Sequence, residues 1–152
     1  MPILILIFMI LAHIIADWNL QGIMGQMKQR DWWIDQTKAV LSEGRAEGDM
    51  PDWVQSPIWK KVRHDYVMVL AIHGLEWSII MHLPAIIYLW MTGDLTTVGQ
   101  EAVITAVILI QAAVHAWLDN LKANTYQTNL IADQIWHLVQ VFVSFNLLTY
   151  LI

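Results

Sequence analysis

The chain contains no cysteine among its 152 residues, which excludes disulfides, thiolate catalysis and cysteine-ligated zinc. Charge is scarce too. Charged residues make up 14% and hydrophobic ones 57%, against about 25% and roughly 45–50% in soluble domains. Positive charge is nearly confined to one segment: Lys28, Arg30, Lys38, Arg45, Lys60, Lys61 and Arg63 cluster together, and only Lys122 lies beyond them. With a net charge of -5 and no basic helical face, the chain lacks the means to neutralise phosphates, so nucleic acid is not an expected partner. There is no glycine-rich phosphate loop. Ser42, Ser56, Ser78 and Ser144 sit in no nucleophile-elbow context, which argues against a serine hydrolase.

What the chain does have is long apolar runs. Four of them, over residues 3–20, 66–91, 102–121 and 130–152, approach or exceed the length that crosses about 30 Å of hydrocarbon at 1.5 Å per residue. The helices of a soluble four-helix bundle would each show a broad polar face, whereas stretches 3–11 and 103–110 are apolar nearly all the way round. The expectation is an all-α protein, an integral membrane four-helix bundle forming one domain over 1–152, with a polar, partly helical cytoplasmic loop, 22–65, between helices 1 and 2. The opening run has no basic flank and no small-x-small cleavage site after it, so it reads as a retained helix.

Within the loop, residues 26–41 predict an amphipathic helix lying at the surface, ended by Gly44, Gly48 and Pro51. Trp32, Trp33, Trp53 and Trp59 fit anchoring at headgroup level. Thr128 or Asn129 is placed to cap the last helix. Every Lys and Arg falls on one side of a four-span path, so the positive-inside rule puts that side in the cytoplasm. The expected location is the cell (inner) membrane, multi-pass, with the lipid bilayer as the principal partner.

Three spans carry a His and an Asp four residues apart: His13 with Asp17, His115 with Asp119, and in reverse order Asp133 with His137. That spacing puts both side chains on one helical face, a turn apart. His73 joins them from the second span. Because the path reverses at each turn, all seven fall at one level, within about 11 Å, or two turns, of the cytoplasmic boundary. Ionisable groups in lipid cost several kcal/mol each, so they pair, line water or coordinate an ion. Imidazoles with carboxylates converging inside a bundle suit zinc, iron or manganese. The candidate metal ligands are therefore His13, Asp17, His73, His115, Asp119, Asp133 and His137, holding one or two divalent ions, with some of the acids orienting a ligating imidazole instead. A proton pathway and interhelical hydrogen bonding are the competing uses of such a cluster. Glu76 reads equally well as a ligand or as a helix-to-helix hydrogen bond. His82, about 13 Å deeper, reads as a packing histidine and His64 as a solvated loop residue. For Lys122, snorkelling to the interface is preferred over contact with an anionic group.

The runs His13-Ile-Ile-Ala-Asp17-Trp-Asn-Leu20-Gln21, His115-Ala-Trp-Leu-Asp119-Asn-Leu-Lys122 and Asp133-Gln134-Ile-Trp-His137, with His73 between, together resemble the domain of unknown function 3307 family. Its bacterial and phage membrane proteins open with His-x-x-Ala-Asp-Phe-x-Leu-Gln and close with Asp-Gln-x-x-His. Trp18 stands where that family more often has Phe, and the loop 22–65 is longer and richer in tryptophan. The resemblance implies a polytopic membrane protein of bacterial or phage origin and brings no reaction with it. A more distant similarity, in layout alone, is to membrane-bound metal-dependent hydrolases.

The leading expectation is a metal-binding membrane protein, with a metal-dependent hydrolase at the cytoplasmic leaflet as its catalytic form. The alternative is a non-enzymatic membrane subunit or phage interaction protein, in which the cluster is structural and the Trp-rich loop, 32–59, binds a protein partner. A channel subunit ranks last, since no span has a continuous polar stripe.

Overall fold

Ile3–Ile14 holds neither glycine nor proline, and it forms helix α1. The next residues, Ile15–Asn19, extend it by one π-helical turn closed by Leu20 N–H donating to the Ile15 carbonyl at 3.1 Å. Short α2 (Met24–Met27) and α3 (Arg30–Ser42) follow, then a 3-10 turn at Trp53–Gln55, α4 (Pro57–Val62), α5 (Asp65–Thr92), α6 (Val98–Ala123) and α7 (Leu130–Thr149). The structure, a computed structural model, describes residues 3–43 and 52–150, and no strand occurs among them. Gly44, Gly48 and Pro51, expected to end the loop helix, lie outside the described residues.

The ends of the long helices have local causes. Gly93 adopts φ 75 and stops α5, a left-handed conformation that glycine enters without a Cβ penalty. Thr97 and Gln100 form a reciprocal capping box at the start of α6. Asn129 accepts from the Ala132 amide at 2.9 Å and caps α7, one of the two residues expected to do so.

Helices α1, α5, α6 and α7 close a ring, α5 against α6 and α1, and α7 against α6 and α1. The interior divides along its length. Met9, Trp77, Met81, Ala85, Leu89, Val141 and Leu148 pack one part as an apolar core, while the end nearest the loop is filled by histidines and aspartates. The outward faces carry many large apolar side chains: Ile3, Phe8, Ile72, Ile79, Trp90, Leu109, Ile110, Ile131 and Phe142 are all exposed.

Two helical runs among the described residues are long and apolar enough to cross a membrane: α4 with α5 (Pro57–Thr92), whose most apolar 18 residues have a mean hydropathy of 1.4, and α6 (Val98–Ala123), whose most apolar 18 have 1.7. Four were expected. The first apolar helix, Ile3–Trp18, is shorter. The last carries Asp133, His137 and Gln140, all buried, so residues that fill the polar interior also lower its apolarity.

Gly74 sets the distance between α5 and α6. A Cβ there would lie 2.5 Å from the Ala112 carbonyl oxygen and 3.1 Å from the Ala116 Cβ, so only glycine permits this approach. Gly74→Ala should push the helices apart and cost about 1–3 kcal/mol of stability, read as a lower unfolding midpoint of the detergent-solubilised protein. An unchanged midpoint would show that the helices do not pack this closely.

The loop departs from the single amphipathic helix expected over 26–41. It breaks at Lys28 and Gln29, where Gln29 is extended (φ -94, ψ 127). The break is fixed by tertiary hydrogen bonds. Asn124, at the end of α6, accepts from the Arg30 amide at 2.6 Å and donates to the Lys28 carbonyl at 3.0 Å, and the Tyr126 hydroxyl donates to Asp31 at 2.6 Å. The tryptophans pack into the loop as well as lying at its surface. Trp59 is buried edge-on to Trp53 with ring centroids 5.2 Å apart, Trp33 donates to the Met27 carbonyl at 2.7 Å, and Arg30 and Lys38 lie over the Trp59 and Trp53 rings. Trp59 is thus occupied by its own loop.

Candidate metal centre

The 3.6-residue period that places His115 a turn from Asp119 also turns both inward, because they share the buried stripe of α6 with Val107, Gln111 and Ala112. Asp133, His137 and Gln140 form the same kind of stripe on α7, and His73, Gly74 and Trp77 on α5. All seven residues singled out from the sequence are at most 4% exposed. They meet at the loop end of the ring.

Asp119 is the centre. Its Oδ2 lies 3.5 Å from His73 Nε2 and 3.8 Å from His115 Nε2, and its Oδ1 lies 3.5 Å from His137 Nε2. His137 Nε2 is also 3.3 Å from Asp133 Oδ1, while His73 Nε2 is 3.5 Å from Asp17 Oδ1 and 3.3 Å from His115 Nε2. Donor atoms of Asp17, His115, Asp119 and His137 lie within 4.8 Å of one another, so this buried group can hold a metal ion. His73 and Asp133 border it.

His13 stands apart. Its Nδ1 accepts a hydrogen bond from the Trp77 indole at 2.8 Å, which commits one ring lone pair and leaves the proton of the neutral imidazole on Nε2. Its role here is to join α1 to α5. The π-helical turn that begins two residues later carries Asp17 into the cluster, which His13 flanks with its ring centroid 5.9 Å from that of His137; such turns are frequent at functional sites.

Several site residues escaped the sequence reading. Trp77 stacks on His115 with centroids 4.2 Å apart, and His115 faces His137 at 4.1 Å; its one available signal was the i,i+4 spacing from His73. Gln21 and Gln134 each donate to Asp17, to Oδ1 and Oδ2 at 2.7 Å, and both lay inside the quoted motifs. Gln140 lies 3.2 Å from His137 Nδ1 and donates to Gln111 at 2.8 Å. Glu76 joins none of these contacts. His82 is fully buried with Nδ1 2.7 Å from the Ser78 carbonyl, the packing role expected of it.

Two lysines change the electrostatics. Lys28, 4% exposed, donates to Asp119 Oδ2 at 2.6 Å. Lys122 folds inward onto Asp133 and lies 3.7 Å from Asp119 Oδ1, where snorkelling away had been preferred. Three carboxylates against two ammonium groups leave one negative charge when the imidazoles are neutral. Even so, His137 Nε2, Asp119 Oδ1 and Asp133 Oδ1 are buried without a hydrogen bond, as are His73 Nδ1 and His115 Nδ1. A cavity of about 240 Å3 lined by Asp17, Trp18, Gln21, Lys122, Leu130 and Gln134 opens beside the cluster. A cavity of about 580 Å3 between α1 and α5 is apolar, and none of the seven residues lines it.

No protein-family model, curated protein or solved structure matches this chain.

Proposed function

We propose that this chain is a multi-pass membrane protein that binds divalent metal in the polar end of its helix ring. The observation that carries the metal reading is a crowded buried trio: His137 Nε2 lies 3.3–3.5 Å from Asp119 Oδ1 and Asp133 Oδ1, an ion-pair distance if the imidazole is protonated, and none of the three atoms has a hydrogen bond of regular geometry. Each unsatisfied buried polar atom costs about 1–3 kcal/mol, and a cation removes that cost for all three at once. Neutral imidazole with carboxylate suits zinc, iron or manganese. The membrane reading draws support from the large apolar side chains exposed on the outer faces of all four long helices, since contiguous exposed apolar surface marks an interaction or membrane face, and from the motif resemblance to the domain of unknown function 3307 family. The basic loop then lies in the cytoplasm.

A dication held by these imidazoles and carboxylates would lower the pKa of a bound water toward neutrality, the chemistry a hydrolase would use. The cavity bordered by Asp17 and Lys122 gives a substrate its approach. Metal content tests the proposal: protein purified in detergent without chelator should retain at least one equivalent of metal. His115→Ala or Asp133→Ala should remove an equivalent or more. Wild-type protein without metal, or variants with undiminished metal, would refute it.

One observation favours a second reading, in which the cluster locks the helices and the loop 32–59 engages a protein partner. Lys28 and Lys122 already pair with Asp119 and Asp133. Under it, elemental analysis finds no metal and the alanine variants lose stability alone.

A further inference from the structure

Resting on that metal reading, we infer that the cluster is a two-ion site in which the Asp119 carboxylate bridges the ions, one oxygen to each. Four ligands about 2.0–2.1 Å from a tetrahedral zinc lie about 3.3–3.4 Å from one another. The donor atoms sort into two sets near that spacing. In the first set His73 Nε2 and His115 Nε2 lie 3.3 Å apart, and each lies between 3.5 and 4.0 Å from both Asp119 Oδ2 and Asp17 Oδ1. In the second set His137 Nε2 lies 3.5 Å from Asp119 Oδ1 and 3.3 Å from Asp133 Oδ1. The first set has four donors. The second has three, leaving a coordination position free on the side of Lys122. A carboxylate bridging through both oxygens suits the spacing of about 3.5–4 Å usual for paired ions.

Unmet bonding capacity supports the division. The second set consists wholly of buried atoms with no hydrogen bond, Asp119 Oδ1 among them. In the first, His73 and His115 oppose their Nε2 atoms at 3.3 Å, where at most one can carry the proton and the other must offer a lone pair. Each set also has its own counter-charge, Lys28 at Asp119 Oδ2 and Lys122 beside Asp119 Oδ1. With the two ammonium groups withdrawn, two dications against three carboxylates leave a single positive charge. The site would therefore take one monoanionic ligand at the free position.

Stoichiometry decides it. Detergent-purified wild-type protein, dialysed against zinc and then against metal-free buffer, should hold two zinc ions per chain by elemental analysis. His73→Ala and His137→Ala should each hold one, with helix content and elution volume in detergent unchanged. A manganese-loaded sample gives an independent check, since two bridged ions should show exchange-coupled electron paramagnetic resonance. One ion per wild-type chain, with an uncoupled manganese spectrum, overturns the two-ion inference and leaves the metal reading standing. No retained ion overturns both.

Discussion

Asp119→Ala should leave purified protein with no stoichiometric metal and should lower its stability by about 3–5 kcal/mol, the usual cost of removing one member of a buried ion pair. Asp119 is fully buried and approaches Lys28, Lys122, His73, His115 and His137. Removing it strands the Lys28 ammonium in a buried setting and takes away a carboxylate that approaches His73, His115 and His137 together. Asp119→Asn keeps the shape and loses the charge, so it should abolish metal binding while costing less stability. Chemical unfolding in detergent, with and without chelator, reads both effects. Equal metal content in Asp119→Asn and wild type would show that the carboxylate is no ligand.

Lys28→Met should tighten metal binding by tenfold or more. An ammonium group and a dication compete for the same oxygen, and two unit charges 4 Å apart at an effective dielectric of about 20 interact by about 4 kcal/mol, of which about 1.4 kcal/mol already makes a factor of ten. Methionine keeps the length and apolar stem of lysine. The substitution also raises the negative charge of the cluster by one. Competition against a chromogenic chelator measures the change. Unaltered or weakened affinity would mean that Lys28 helps to build the site and does not vie for it.

These expectations depend on a fold whose parts were unequally legible. Helix formation was readable because apolar runs and caps act over a few residues: Asn129 caps α7 and Gly93 ends α5 as local chemistry requires. The common level of the seven polar residues was also readable, since chain reversal and helical rise alone place them. The break at Lys28 and Gln29 was not, because Asn124, distant in sequence, supplies its hydrogen bonds. Nor was the inward turn of Lys122, which from composition alone resembles any lysine at a helix end.

Sequence by itself determined that the chain is helical, that its polar side chains share one end, and which histidines and aspartates gather there, because period and hydropathy are local quantities. Only the tertiary structure decided how each one is used. Trp77 commits a nitrogen of His13, Gln134 orients Asp17 from 117 residues away, and Lys28 reaches Asp119 across 91. Those choices depend on the lateral order and separation of helices, which close packing sets through contacts such as Gly74 against Ala112, and no periodicity within a single helix encodes them.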